Sequence, residues 1–239
     1  MKLSIYLQNP LPDADAVTQA LRHTDICVAV DNERIVLTTE SLVPATFAPG
    51  DAELSYAAWQ RINELIAIVN GSAQIEGGAL HGIALANVAY EDGEGKQQHL
   101  PGVVRMRGVL PALRSTPPDP SEFISVALRD RAAAKALRLV SRELDWCNLY
   151  RIFEVVTGDV GESEIVASGW ASETEIDAFT ASANNESVTG DDSRHGRPSN
   201  GTPRNTVELP DAQHVIKRIV RGWLSSKVTP RSPSVAQSG

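Results

Sequence analysis

Cysteine is nearly absent: Cys27 and Cys147 are the only two in 239 residues. They fall in segments that read as a strand and a helix, so two buried, reduced thiols are expected rather than a disulfide or a metal site. Aromatics are also scarce at 5%, and Ala and Val carry much of the apolar content. No apolar run approaches the roughly 18–20 residues that a membrane-spanning helix needs. Met1 to Leu7 has too short an apolar run, and no small-residue cleavage site, for a signal peptide. The chain is therefore expected to be cytoplasmic, with no membrane partner. The Asn-x-Ser/Thr triplets at Asn70, Asn185 and Asn200 are then expected to stay unmodified.

Several signatures of chemistry are missing as well. There is no Gly-rich phosphate loop ending in Lys-Ser/Thr, and Gly93-Glu94-Gly95 reads as a hairpin turn with no helix behind it. His-Glu-x-x-His, Cys-x-x-Cys and Gly-x-Ser-x-Gly do not occur. The five histidines (His23, His81, His99, His195 and His214) are scattered, so no metal site is inferred and no cofactor is expected. A net charge of −8 argues against broad affinity for nucleic acid, which depends on neutralising phosphates.

What is present is an ordinary globular composition, 42% hydrophobic and 22% charged, long enough for two modest domains. Residues 1–115 read as α+β. Leu3 to Leu7 alternates at period two as a half-buried strand does. Asp13 is placed to cap a short helix to about Arg22. Ile26–Val30 and Arg34–Thr38 form a hairpin pattern around Asp31-Asn32-Glu33. Ser55 caps a helix with Trp59, Ile62, Ile66 and Val69 on one stripe, which Asn70-Gly71 is expected to end. A second hairpin runs from Gly82–Tyr90, through a turn at 91–95, to a return strand around Val103–Val109. Four or five strands with two helices predict an antiparallel-leaning sheet covered on one face.

Ser115-Thr116-Pro117-Pro118-Asp119-Pro120 marks the expected boundary, because prolines hold the chain extended and lack donors. Asp119, Pro120 and Glu122 then have a helix-opening arrangement. The second domain, 119–224, is expected to be all-helical. Leu137, Val140 and Leu144, then Leu149, Ile152, Phe153 and Val156, keep helical spacing with a phase shift between the two sets. One bent helix over 121–156 and two consecutive ones both fit. Gly158 and Gly161 end this stretch, and Ile165-Val166 is a short apolar run of either type. Ser172 to Glu175 is a capping box opening the next helix. Pro210 opens a last helix with Val215, Ile216, Ile219, Val220, Trp223 and Leu224 on one face and Lys217, Arg218 and Arg221 opposite. Residues 225–239 are Ser/Pro-rich and are expected to form a disordered tail. No internal repeat is visible.

Asn184 to Arg204 is polar, long and without apolar pattern, which marks either a functional segment or disorder. It holds the candidate catalytic residues Arg194 and His195 and the candidate binding residues Arg197, Asn184 and Asn185. A histidine moves protons near neutral pH, and an arginine offers a fixed fork to phosphate or carboxylate. The plain alternative has Asp191 and Asp192 folding the loop onto Arg194 and Arg197, with the asparagines serving only as helix caps. Tyr150 and Glu154, one helical turn apart, complete the candidate set. If their face turns inward, Glu154 needs a partner, for which Arg194 is available; otherwise the face is solvated. Residues 173–192 are acidic with no Lys or Arg, whereas Arg194, Arg197, Arg204, Lys217, Arg218, Arg221, Lys227 and Arg231 make 194–231 basic. The two blocks either neutralise each other across a helix pair or leave a basic surface.

Leu149-Tyr150-Arg151-Ile152-Phe153-Glu154, the helix ending in Ala183-Asn184, Arg194-His195 and the closing helix with Trp223 resemble the helical HEPN-type domains of prokaryotic defence and toxin proteins. This C-terminal half, about Asp119 to Leu224, also resembles a group of bacterial proteins that pair such a region with an N-terminal α+β half. The resemblance implies a bacterial defence or stress system, a homodimer that brings two Arg194-His195 pairs into one cleft, and metal-independent RNA cleavage. Active HEPN ribonucleases space arginine and histidine by four to six residues; here Arg194 and His195 are adjacent. The leading expectation is therefore a non-catalytic binding or regulatory module that recognises a protein partner or an anionic ligand through 184–204. A ribonuclease using Arg194 and His195 is the alternative.

Overall fold

The computed structural model describes residues 2–7, 14–31, 34–39, 52–76, 85–91, 97–100, 120–190, 193, 201 and 203–228. The architecture is α+β, with a sheet in the N-terminal part and helices after it. The chain divides into two compact units, Met1–Ser125 and Val126–Gly239.

In the first unit, β1 (Lys2–Leu7), β2 (Cys27–Asp31), β3 (Arg34–Thr39), β4 (Leu85–Glu91) and β5 (Gln97–Leu100) form one sheet in the order β2-β3-β1-β4-β5. Every neighbouring pair is antiparallel. β1 shows the expected alternation, with Ile5 and Leu7 buried and Ser4 and Tyr6 half-buried. α1 (Ala14–Leu21) buries Val17, Ala20 and Leu21, at the spacing that puts them on one helical face. The Thr24 hydroxyl donates to the Leu21 carbonyl and accepts from the Ile26 amide, closing the turn into β2. Asp13 lies outside the described residues. Cys27 is exposed, contrary to the expectation of a buried thiol, because β2 is an edge strand of the sheet.

Two sequence expectations fail here for physical reasons. α2 (Ala52–Glu76) begins before Ser55 and continues past Asn70-Gly71. Beyond the glycine, Ser72, Ala73 and Ile75 are buried, and Ser72 Oγ donates to the Pro120 carbonyl at 2.8 Å. A mid-helix glycine costs about 1 kcal/mol, which burial of one isoleucine offsets with roughly 1.5–3 kcal/mol. The return strand of the second hairpin is β5, not Val103–Val109, which lies outside the described residues. β5 pairs with β4 at the sheet edge, where Gln97, Gln98 and His99 need no apolar pattern.

The second unit is helical. The unit division falls within α3 (Ser121–Arg129), and residues 115–119 of the expected boundary lie outside the described residues. Residues 121–156 are neither one helix nor two but three: α3, α4 (Arg131–Val140) and α5 (Trp146–Val160). Asp130, in an extended conformation at φ −124 and ψ 115, breaks the first pair and caps α4 through the amides of Ala132 and Ala133. Asp145 caps α5 by accepting from the Asn148 amide at 2.7 Å. Buried Asn148 then donates to the Leu139 and Glu143 carbonyls, closing the turn that causes the phase shift. Gly158 sits inside α5; Gly161, at φ +82, ends it.

Ile165 is buried in α6 (Glu162–Ala167), so the short apolar run is helical. The capping box is formed at α7 (Glu173–Ala183). α8 (Glu186–Thr189) follows, and α9 (Leu209–Val228) buries Val215, Ile216, Ile219, Val220, Trp223 and Leu224 as expected. α9 runs through residues 225–228, which the sequence had placed in the tail; 229–239 lie outside the described residues. Trp146, Tyr150 and Phe153 of α5 meet Phe179 of α7 with ring centroids 5.6–6.4 Å apart.

Candidate functional site

The polar segment after α7 is built around Asn185. Asn184 closes α7 at φ −94 and ψ 0, so it does not use the left-handed conformation that makes asparagine a favoured C-cap. Asn185 is buried and works in two directions. Its Oδ1 accepts from the amide and hydroxyl of Ser187 at 2.9 and 2.6 Å, capping α8. Its Nδ2 donates to the Gly201 carbonyl at 2.9 Å. Fully buried Ser182 accepts from the Val207 amide, and Cys147 Sγ on α5 donates to the Ser193 carbonyl at 3.8 Å. The segment therefore carries a short helix of its own, is tied to α5 at Ser193, and at Gly201 is tied back to its own start at Asn185.

Arg194, His195 and Arg197 lie outside the described residues, in the interval between those two ties. Tyr150 is half-buried, stacked on Phe179 at 6.0 Å, and serves the aromatic core. Glu154, one turn on, is exposed, so their shared face passes from core to solvent and burial puts no demand on the carboxylate.

The acidic and basic blocks do meet. Arg218 Nη2 pairs with Glu175 Oε1 at 2.7 Å, and its Nε donates to the Trp170 carbonyl at 2.7 Å. The Arg218 hydrogen bond, then the Ser172 amide, hold the Glu175 carboxyl down at about 2, against a weak opposing effect of burial. Arg218 is therefore engaged, whereas half-buried Lys217 makes no ion pair or hydrogen bond among the described residues. Burial pushes the Lys217 ammonium down from its ordinary value.

Sequence reasoning missed one constellation. Lys227 Nζ, in the last turn of α9, lies 2.6 Å from Asp130 Oδ2 and 2.8 Å from Asp159 Oδ2. Asp159 Oδ2 also accepts from Trp223 Nε1 at 2.8 Å, and the ammonium sits 4.9 Å from the Trp223 ring centroid. Burial pushes Lys227 down, but the hydrogen bonds to the two aspartates and their charges outweigh it and raise the group above its ordinary value. Burial likewise pushes Asp130 up, yet the Lys227 hydrogen bond, the Ala133 amide, the Lys227 charge and the Ala132 amide together lower it. The triad borders a cleft of about 410 Å³ lined by Val126, Arg129, Asp130, Asp159, Val160, Ser226 and Lys227. Pro230 was the available signal, since a helix can run to just before a proline.

Among the described residues, no three His, Cys, Asp or Glu side chains are grouped to hold a metal ion. No helix there is long and apolar enough to cross a membrane. Comparison with protein-family models, curated proteins and solved structures returned no match to the chain.

Proposed function

We propose that this chain is a non-catalytic binding module of a bacterial cytoplasmic regulatory system, recognising an anionic ligand or partner through residues 184–204. The observation that carries the reading is Asn185 bonded to Gly201, with Ser193 tied to Cys147 on the other side. The flanking residues Ser193 and Gly201 are thereby both anchored. Fixing the ends of a loop lowers the ordering cost of binding, and the interval contains two arginines suited to phosphate or carboxylate. The adjacency of Arg194 and His195 favours recognition over cleavage.

The test is fluorescence anisotropy with a labelled short single-stranded RNA, with inorganic phosphate as competitor. Loss of one charge-assisted contact is worth roughly 1.5–3 kcal/mol, so Arg194→Ala and Arg197→Ala should each weaken binding about tenfold or more. His195→Ala should leave binding in place and the RNA intact. Unchanged affinity in both arginine variants overturns the reading. RNA cleavage by the wild type that is abolished in His195→Ala replaces it with the ribonuclease alternative.

A further inference from the structure

The cleft beside Lys227 is lined by no residue of 184–204, and its chemistry is balanced. Arg129 and Lys227 contribute two positive charges to its lining, Asp130 and Asp159 two negative ones. Such a lining has no overall preference for a cation or an anion, but it holds both signs a few ångströms apart beside the half-buried, apolar Val160. Its volume, about 410 Å³, lies in the range of small-molecule sites.

Hydrogen-bonding capacity is left over on both sides. Lys227 has three N–H groups and gives one to each aspartate. Asp130 Oδ1 is occupied by the Ala132 and Ala133 amides, whereas among the described residues Asp159 takes Lys227 and Trp223 on Oδ2 and no donor on Oδ1. Among the described residues, Oδ1 of Asp159 is thus an acceptor open to the cleft. The triad is fixed by the capped start of α4, the end of α5 and the last turn of α9, so the site is preorganised.

We infer that this cleft binds a small zwitterion of the α-amino-acid class with an aliphatic side chain. The ligand's ammonium is accepted by Asp159 Oδ1, its carboxylate faces the charges of Arg129 and Lys227, and its side chain rests on Val160. Ser226 lines the cleft as a hydroxyl whose oxygen still accepts, since it donates to the Trp223 carbonyl.

The experiment is isothermal titration of the full chain with L-valine, L-valinamide and 3-methylbutanoate, probes that carry both charges, the ammonium alone and the carboxylate alone. Saturable binding of L-valine below about 1 mM, at least tenfold tighter than either analogue, is the expected result. Arg129→Gln, which leaves the Asp130–Lys227–Asp159 triad in place, should weaken it about tenfold. Asp159→Asn should weaken it as well, with a thermal melt confirming that the variant is folded. No saturation by L-valine, equal binding of valinamide or of 3-methylbutanoate, or full affinity in Arg129→Gln would each overturn the assignment. None of these outcomes depends on Arg194, His195 or Arg197, so this site and the 184–204 reading fail independently.

Discussion

Arg218 of α9 and Glu175 of α7 meet at 2.7 Å, joining the basic block of the sequence to the acidic one. The pair predicts a pH dependence with a definite sign. The Glu175 carboxyl drops from an ordinary 4.5 to about 2 on folding, so its stabilisation is complete above 4.5 and is lost as pH falls toward 2. Both side chains are about two-fifths exposed, which limits the effect to below about 1 kcal/mol and makes it salt-sensitive. Urea denaturation of wild type and Glu175→Gln at pH 7, 4 and 2 should show a difference that closes by pH 2. A constant difference across that range would count against the pairing.

Lys227→Met should destabilise the helical unit by about 1–3 kcal/mol, because it leaves Asp130 and Asp159 facing each other without their cation. Lys227 is raised and Asp130 lowered, so the interaction persists between them and fails at both ends: as pH falls through the folded value of Asp130, and as it rises through that of Lys227. A double-mutant cycle with Asp130→Asn should give a coupling of about 0.5–3 kcal/mol. Additive single effects would show that the two groups act separately.

Gly222→Ala should be destabilising for a reason specific to one neighbour. A Cβ at this position would overlap the Trp170 ring, which rests against the α9 backbone. The expected cost is about 1–3 kcal/mol. In a Trp170→Ala background the clash is gone, and the same substitution should stabilise α9 by up to about 1 kcal/mol, since alanine is the better helix former. Thermal melts of the four variants test this reversal of sign; the same sign in both backgrounds contradicts it.

Asn185→Ala should remove the α8 cap and the Gly201 tie together, at a cost of about 1–2 kcal/mol. Hydrogen exchange should accelerate at the Ser187 amide while α9 stays protected. Uniform acceleration across the helical unit would show that Asn185 supports the whole core rather than this segment.

The features legible in the sequence were those carried by local chemistry. The capping box at Ser172–Glu175, the alternation of β1 and the apolar face of α9 each depend on residues within a turn or two of one another. What the sequence hid was decided at a distance. Gly71 looks like a helix end until Ser72 bonds to the Pro120 carbonyl and Ile75 is buried. Asp130 looks like one more charged position in a helical run, yet it stops α3 and receives Lys227 from 97 residues on. The candidate site divides in the same way: Asn185 was singled out, but its bond to Gly201 spans 16 residues and follows no local rule. Lys227 was lost because Ser225 begins a stretch with tail-like composition, although the helix persists to Val228.

The strand order has a consequence for how the first unit assembles. β1 is the central strand, paired on one side with β3 and on the other with β4, so that Leu3 stands opposite both Thr39 and Tyr90. The β3 side can close as soon as the β2–β3 hairpin is available, but the β4 side must wait for all of α2 to be made. A nascent chain would hold β1 half-paired through that interval, and loop closure over this distance is slow beside the local contacts of α4 and α5. The sheet, though it comes first in the sequence, cannot be completed until the strands after α2 are synthesised.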